Sequence, residues 1–138
     1  MNRVNSMQAF IHQYFQNARL LQKELNDALQ QHGLYASQWS VLFILQEKGA
    51  LTLTQIWRYL HVEAPTITRT VARLETLGYV EKVAGADRRE KCIQLTPFAQ
   101  EKVPQIQQSI EAFEEKFTAR LSEQELETMR GLLQKMRG

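Results

Sequence analysis

TLTQIWRYLHVEAPTITRTVARLETLGYVEKVAGADRREKCIQLTP, residues 52–97, holds two helical patterns and two strand patterns in one run. Thr52 and Gln55 have the spacing of a capping box, in which each side chain accepts a hydrogen bond from the other residue's backbone N–H. Leu53, Ile56, Trp57 and Leu60 then recur on one helical face. Past the link His61-Val62-Glu63, a second helix is expected near Pro65, whose missing N–H costs nothing at a first helical position. That leaves Ala64 as a poor cap, with Glu63 as the substitute. Ile67, Val71, Leu74 and Leu77 form the apolar face of this helix and Gly78 ends it, while Thr66, Arg69, Thr70 and Arg73 occupy the opposite face. The runs YVEKV at 79–83 and KCIQL at 91–95 read as a hairpin. Its tip, AGADRREK at 84–91, carries a glycine, an aspartate and three bases.

The flanks are helical. Met7, Phe10, Tyr14, Ala18, Leu21, Leu25 and Leu29 describe one long amphipathic helix that Gly33 stops. Ser37 is placed to cap a second helix whose WSVLFIL segment is apolar on nearly every side, as suits the centre of a small core, and Gly49 ends it. Thr96-Pro97 opens a further helix with a stripe at Val103, Ile106, Ile110, Phe113 and Phe117, and Pro104 predicts a kink inside it. The last helix starts at the capping box of Ser122 and Glu125, has Leu121 and Leu126 at staple positions, and continues through Met129, Leu133 and Met136.

The expected fold class is mainly α with a small β-hairpin wing. One domain over 1–138 comprises a winged helix-turn-helix lobe at 36–95 between dimerisation helices at 5–33 and 97–138. Within the lobe the helix-turn-helix lies at about 52–77 and the wing at about 79–95. At 138 residues with 43% hydrophobic and 23% charged content, the chain can bury one real core. The longest apolar run, VLFIL at 41–45, is too short to cross a bilayer, and the first residues lack a signal pattern. A cytoplasmic protein without membrane attachment is expected. The single cysteine, Cys92, forms no internal disulfide and no Cys-rich metal site, so neither metal nor cofactor is expected.

Net charge is only +2, so position matters more than total. Between Arg58 and Lys91 stand seven bases and five acids. The arms carry more apolar surface than one three-helix core covers, and the economical partner is a second copy in a two-fold dimer. Such a dimer sets two recognition helices about 34–36 Å apart, one turn of double-stranded DNA. Arginine bridges both acceptors of guanine, and threonine offers a hydroxyl and a methyl. The wing would reach the adjacent minor groove, whose negative potential attracts arginine. Arg89 is expected to insert there, with Arg88 and Lys91 on phosphates. Asp87 is expected to brace the loop by bonding an arginine such as Arg73.

Two other classes bear on the same residues. A winged helix can also bind protein without DNA, and a polar tip is ordinary for a turn. An enzyme finds no support in the pattern: His12, His32 and His61 fall on different elements, and no HExxH, glycine-rich phosphate loop or nucleophile with a recognisable base occurs.

The stretch GADRREKCIQLTPFAQE at 85–101 resembles the wing signature of the MarR family of bacterial transcription regulators, and PTITRTVARLETLGYVEK at 65–82 resembles its recognition helix and first wing strand. The resemblance implies an interlocked homodimer on a pseudo-palindromic operator, usually repressing nearby genes. It matches Asp87 and Arg89 to wing positions and Pro65, Thr66, Thr68 and Arg69 to base-proximal positions. It also implies, for many members, release by a small aromatic or phenolic effector between arm and lobe, for which Tyr14, Tyr35 and Trp39 are the candidates here, although aromatics at helical spacing more often belong to the core. One branch senses peroxide through a cysteine near the N terminus, which this chain lacks; Cys92 reads as a small apolar strand residue.

Overall fold

The Thr52 capping box forms in the computed structural model, which describes residues 2–87 and 89–138. The Gln55 N–H donates to Thr52 Oγ1 at 3.1 Å and the Thr52 N–H donates to Gln55 Oε1 at 2.9 Å. Helix α1 spans Arg3–Leu29 and passes through a 3-10 turn, Gln30–His32, to α2 at Ala36–Lys48. Strand β1, Leu51–Thr52, leads into α3, Leu53–Leu60, and then α4, Ala64–Thr76. Strands β2, Val80–Ala84, and β3, Lys91–Leu95, precede α5, Pro97–Phe117, and α6, Glu123–Arg137.

The wing is a three-stranded antiparallel sheet in the order β1-β3-β2, where the sequence suggests only a hairpin. Leu51 lies opposite Ile93 and Thr52 opposite Cys92, while Val80 to Ala84 run against Leu95 to Lys91. Two residues are too few to show the period-two signal from which a strand is read. The pairing ties the start of the helix-turn-helix to the wing, and Gln94 Nε2 donates to Glu81 Oε1 at 2.8 Å across the other pair.

One core joins α2, α3, α4, the sheet and α5. Leu42, Ile56, Leu74 and Ile93 are fully covered, and α5 adds Ala99, Val103, Ile106 and Ile110 to the same cluster, so apolar packing continues across residue 97. The arms differ. Leu29 is the only buried residue of α1 among those described, and α6 has none. Val4, Met7, Phe10, Ile11, Tyr14 and Phe15 on α1, with Met129, Leu132, Leu133 and Met136 on α6, leave their side chains exposed in the single chain. Phe113 is half-buried and Phe117 exposed, the two rings lying 5.5 Å apart. No described helix is long and apolar enough to cross a membrane.

Two caps differ from expectation. Helix α2 starts at Ala36 with Tyr35 in the cap position, not Ser37. One N–H of its start is served from elsewhere, the Ala36 N–H donating to Asn26 Oδ1 of α1 at 2.6 Å, while the Tyr35 N–H donates to Gln38 Oε1 of the helix's own first turn at 3.0 Å. Helix α4 has Glu63 in the cap position with no side-chain bond, and Pro65 follows Ala64 as its second residue. In α5 the helix runs on through Pro104. Pro104 and Gln100 are exposed, so the carbonyl that loses its N–H partner faces water.

Candidate nucleic-acid interface

Helix α4 is divided along its length by burial. Ile67, Val71 and Leu74 enter the core, Thr68, Arg69 and Arg73 are exposed, and Thr66 and Thr70 are half-buried. Pro65 is exposed at the helix start, beside the α3–α4 turn. That turn closes at His61, which adopts a left-handed conformation at φ 55° and caps α3 through bonds from its N–H to the Arg58 and Trp57 carbonyls. Left-handed geometry usually falls to glycine or asparagine, so composition gives no sign of the role of His61.

The threonine hydroxyls of α4 serve mainly the helix itself. Thr68 Oγ1 donates to the Ala64 carbonyl at 3.0 Å and Thr70 Oγ1 to the Thr66 carbonyl at 2.9 Å. Arg69 Nη2 donates to Thr66 Oγ1 at 3.5 Å, a long contact on the exposed face. No salt bridge joins Arg69, Arg73, Arg89 or Lys91 to an acid among the described residues; the ion pair found there is Arg130 with Glu127. These guanidinium and ammonium groups therefore keep their charge available to solvent or an anionic surface.

The wing tip is held by its own backbone. Asp87 Oδ1 accepts from the Arg89 N–H at 3.0 Å, and the Asp87 carbonyl accepts from the Glu90 N–H at 3.0 Å. The brace expected between Asp87 and Arg73 is thus replaced by a local Asx-type turn, the commonest use of a short carboxylate in a loop. At the neck of the hairpin the Gly85 N–H donates to the Glu90 carbonyl at 3.1 Å, and a Cβ on Gly85 would lie 2.8 Å from that oxygen and 3.2 Å from Cys92 Sγ. Glycine is needed here for close approach of two backbones. Lys91 is exposed at the start of β3 opposite Ala84, and Arg89 is exposed at the tip. Arg88, expected on a phosphate, lies outside the described residues. Cys92 is half-buried in β3. Below the neck, Tyr79 meets Phe98 in a tilted contact with centroids 5.2 Å apart, and burial pushes its phenol above the ordinary value.

The aromatic effector candidates do not converge. Trp39 is 6% exposed and lines a cavity of about 230 Å³ with Ser40, Phe43, Leu60 and Ile110. Tyr14 and Tyr35 are exposed and line neither this cavity nor its neighbour. The neighbour, about 370 Å³, lies between the arm and the recognition helix and is walled by Leu21, Leu25, Leu60, Ile67, Thr66 and Thr70.

Residues 34–91 match the family model described as MarR. The HTH-type transcriptional regulator YwoH of Bacillus subtilis (strain 168) is 46% identical over 117 residues, 85% of each chain. This chain belongs to the MarR family. It is a transcription regulator and not an enzyme, and its fold is that of MarR structures. A cysteine-to-serine mutant of MarR from E. coli complexed with operator DNA superposes with a TM-score of 0.86 at 22% identity, covering 99% of both chains. A probable transcriptional regulator from Pseudomonas aeruginosa gives 0.81 at 27% identity over 97% of this chain and 99% of the other.

Proposed function

We propose that this MarR-family chain acts in the cytoplasm as a homodimer that binds a pseudo-palindromic operator in double-stranded DNA and represses adjacent genes. The observation that carries the reading is the division of α4, with Ile67, Val71 and Leu74 locked in the core while Arg69 and Arg73 stand exposed and unpaired among the described residues. In this reading α4 lies in the major groove with Pro65, Thr66, Thr68, Arg69, Thr70 and Arg73 toward the DNA. The β2–β3 tip enters the adjacent minor groove, with Arg89 inserted, Arg88 and Lys91 on phosphates, and Asp87 shaping the loop. The helices at 5–33 and 97–138 supply the dimer contact. The exposed apolar side chains of α1 and α6 support this, because such stripes are costly in water.

Release by a small aromatic or phenolic effector completes the proposal. The cleft between α1 and α4 supports it: about 370 Å³ falls within the size range of small-molecule sites, and a ligand there touches both the arm and the residues bearing Thr66 and Thr70. Trp39 borders the adjoining cavity, while Tyr14 and Tyr35 contribute less from their exposed positions.

Selection of bound fragments from random duplex DNA at a stated salt concentration tests the reading. Half-sites about one helical turn apart are expected, with affinity falling steeply as salt rises. Arg69→Ala is expected to lose roughly 1–3 kcal/mol concentrated at one base position. Recovery of no duplex at low ionic strength would refute the proposal. Titration of the complex with small phenols and aromatic acids then tests release.

A further inference from the structure

We infer that Thr68 reads the 5-methyl group of a thymine in each operator half-site, an assignment that rests on the proposed docking of α4 in the major groove. A threonine hydroxyl carries one hydrogen, and Thr68 Oγ1 already donates it to the Ala64 carbonyl at 3.0 Å. Thr70 has spent its hydrogen in the same way on Thr66, and is only half-exposed on the side of the cleft under α1. Thr66 differs, because its Oγ1 accepts from Arg69 and its own hydrogen stays free. Thr68 and Thr76, whose Oγ1 donates to the Ala72 carbonyl at 3.1 Å, are the threonines of this helix that are exposed and without a hydrogen to give to a base, and Thr76 is the last residue of α4, at the opposite end from the Pro65 turn proposed to meet the bases.

What Thr68 presents to a groove is therefore a methyl group and the lone pairs of its oxygen, with no hydrogen to donate. An A·T pair supplies the complement of both in the major groove, the thymine methyl and the adenine N6 amino hydrogen. A G·C pair has no methyl; its cytosine N4 amino hydrogen can meet the Thr68 oxygen as that of adenine does, so the methyl is what separates the two pairs. Turning the hydroxyl outward to donate to guanine would give up the bond to the Ala64 carbonyl, which keeps the backbone bond of the helix. Arg69, one residue on, brings the donors suited to guanine, so the two neighbours divide the readout between an apolar contact and a charged one.

The test uses a duplex selected by the wild-type protein and the same duplex with each thymine of the half-sites replaced in turn by deoxyuridine, which removes only the methyl. Wild type, Thr68→Val and Thr68→Ser are titrated at one fixed salt concentration. Valine keeps the methyl and lacks the hydroxyl; serine does the reverse. Wild type and Thr68→Val are expected to lose about fourfold at one thymine per half-site, the worth of one methyl removed from water. Thr68→Ser is expected to bind the parent duplex about sixteenfold more weakly, about fourfold for each half-site because both protomers lose the methyl, and to lose nothing further at that thymine. The inference fails, with the docking intact, if wild type binds the selected duplex and ignores every deoxyuridine. It fails equally if Thr68→Ser loses as much as wild type at that thymine, or if serine keeps full affinity where valine does not. A wild type that selects no duplex overturns the docking and the inference together.

Discussion

Replacing Phe10 by alanine is expected to weaken the proposed dimer by two to three orders of magnitude without disturbing the protomer fold. Phe10 keeps 49% of its surface exposed in the single chain and packs at a tilt against Tyr14 with centroids 6.0 Å apart, so its outer half is free for the proposed partner. A fully buried phenylalanine covers about 150–250 Å², leaving about 100 Å² on each protomer, worth about 2.5 kcal/mol at about 25 cal/mol per Å². Two-fold symmetry counts the loss twice. The methyl that alanine retains and the entropy of ordering the ring reduce the total to about 3–4 kcal/mol per dimer. That is roughly a 10²–10³-fold rise in the dissociation constant. Sedimentation over a range of concentration measures it. Tyr59→Ala serves as the control, since Tyr59 is 52% exposed but lies on α3 with Lys48 of α2 over its ring, outside the helices assigned to the dimer contact. Equal dissociation constants for wild type, Phe10→Ala and Tyr59→Ala would refute the assignment of α1 to the dimer contact.

Gly85→Ala places a Cβ 2.8 Å from the Glu90 carbonyl oxygen, so the hairpin neck shifts or holds about 1–3 kcal/mol of strain. DNA affinity is expected to drop roughly tenfold with the melting of the lobe little changed, by anisotropy and thermal unfolding on the same sample. Leu74→Ala removes a fully covered core side chain and is expected to cost about 2–5 kcal/mol in urea unfolding. The Tyr79 phenol is raised above 10.0 by burial, so the folded state holds its proton more tightly than the unfolded chain. Stability from this group is whole below pH 10 and is lost as pH climbs from there through the folded pKa, a decline that Tyr79→Phe is expected to remove.

Much of the fold was legible because the signals were local and periodic. Ile67, Val71 and Leu74 announce a buried helical face by spacing alone, and the Thr52–Gln55 and Ser122–Glu125 boxes mark helix starts within four residues. The failures share the opposite property. Ser37 is a good cap by type, but Asn26, ten residues upstream of Ala36, takes that work from the neighbouring helix. Strand β1 exists only because β3 lies beside it.

The candidate site was readable in composition and less so in roles. Arg69, Arg73, Arg89 and Lys91 are recognisable as bases and are exposed. The use of Asp87 on the Arg89 backbone, the left-handed turn at His61 and the commitment of the Thr68 hydroxyl to Ala64 depend on torsion angles that residue type does not specify. The effector aromatics fared worst, since helical periodicity does not distinguish the buried Trp39 from the exposed Tyr14.

By itself the amino-acid order determined which segments are helices, where the wing lies and which faces are apolar, since those follow from steric and hydrophobic preferences acting over a few residues. Tertiary structure alone decided that Gly85 is needed for room between two backbones, that Asn26 caps α2, and that α5 packs into the core while α1 and α6 stay largely uncovered. Each of these depends on atoms brought together from distant positions or across a hairpin, and their distances are set by packing of the whole core.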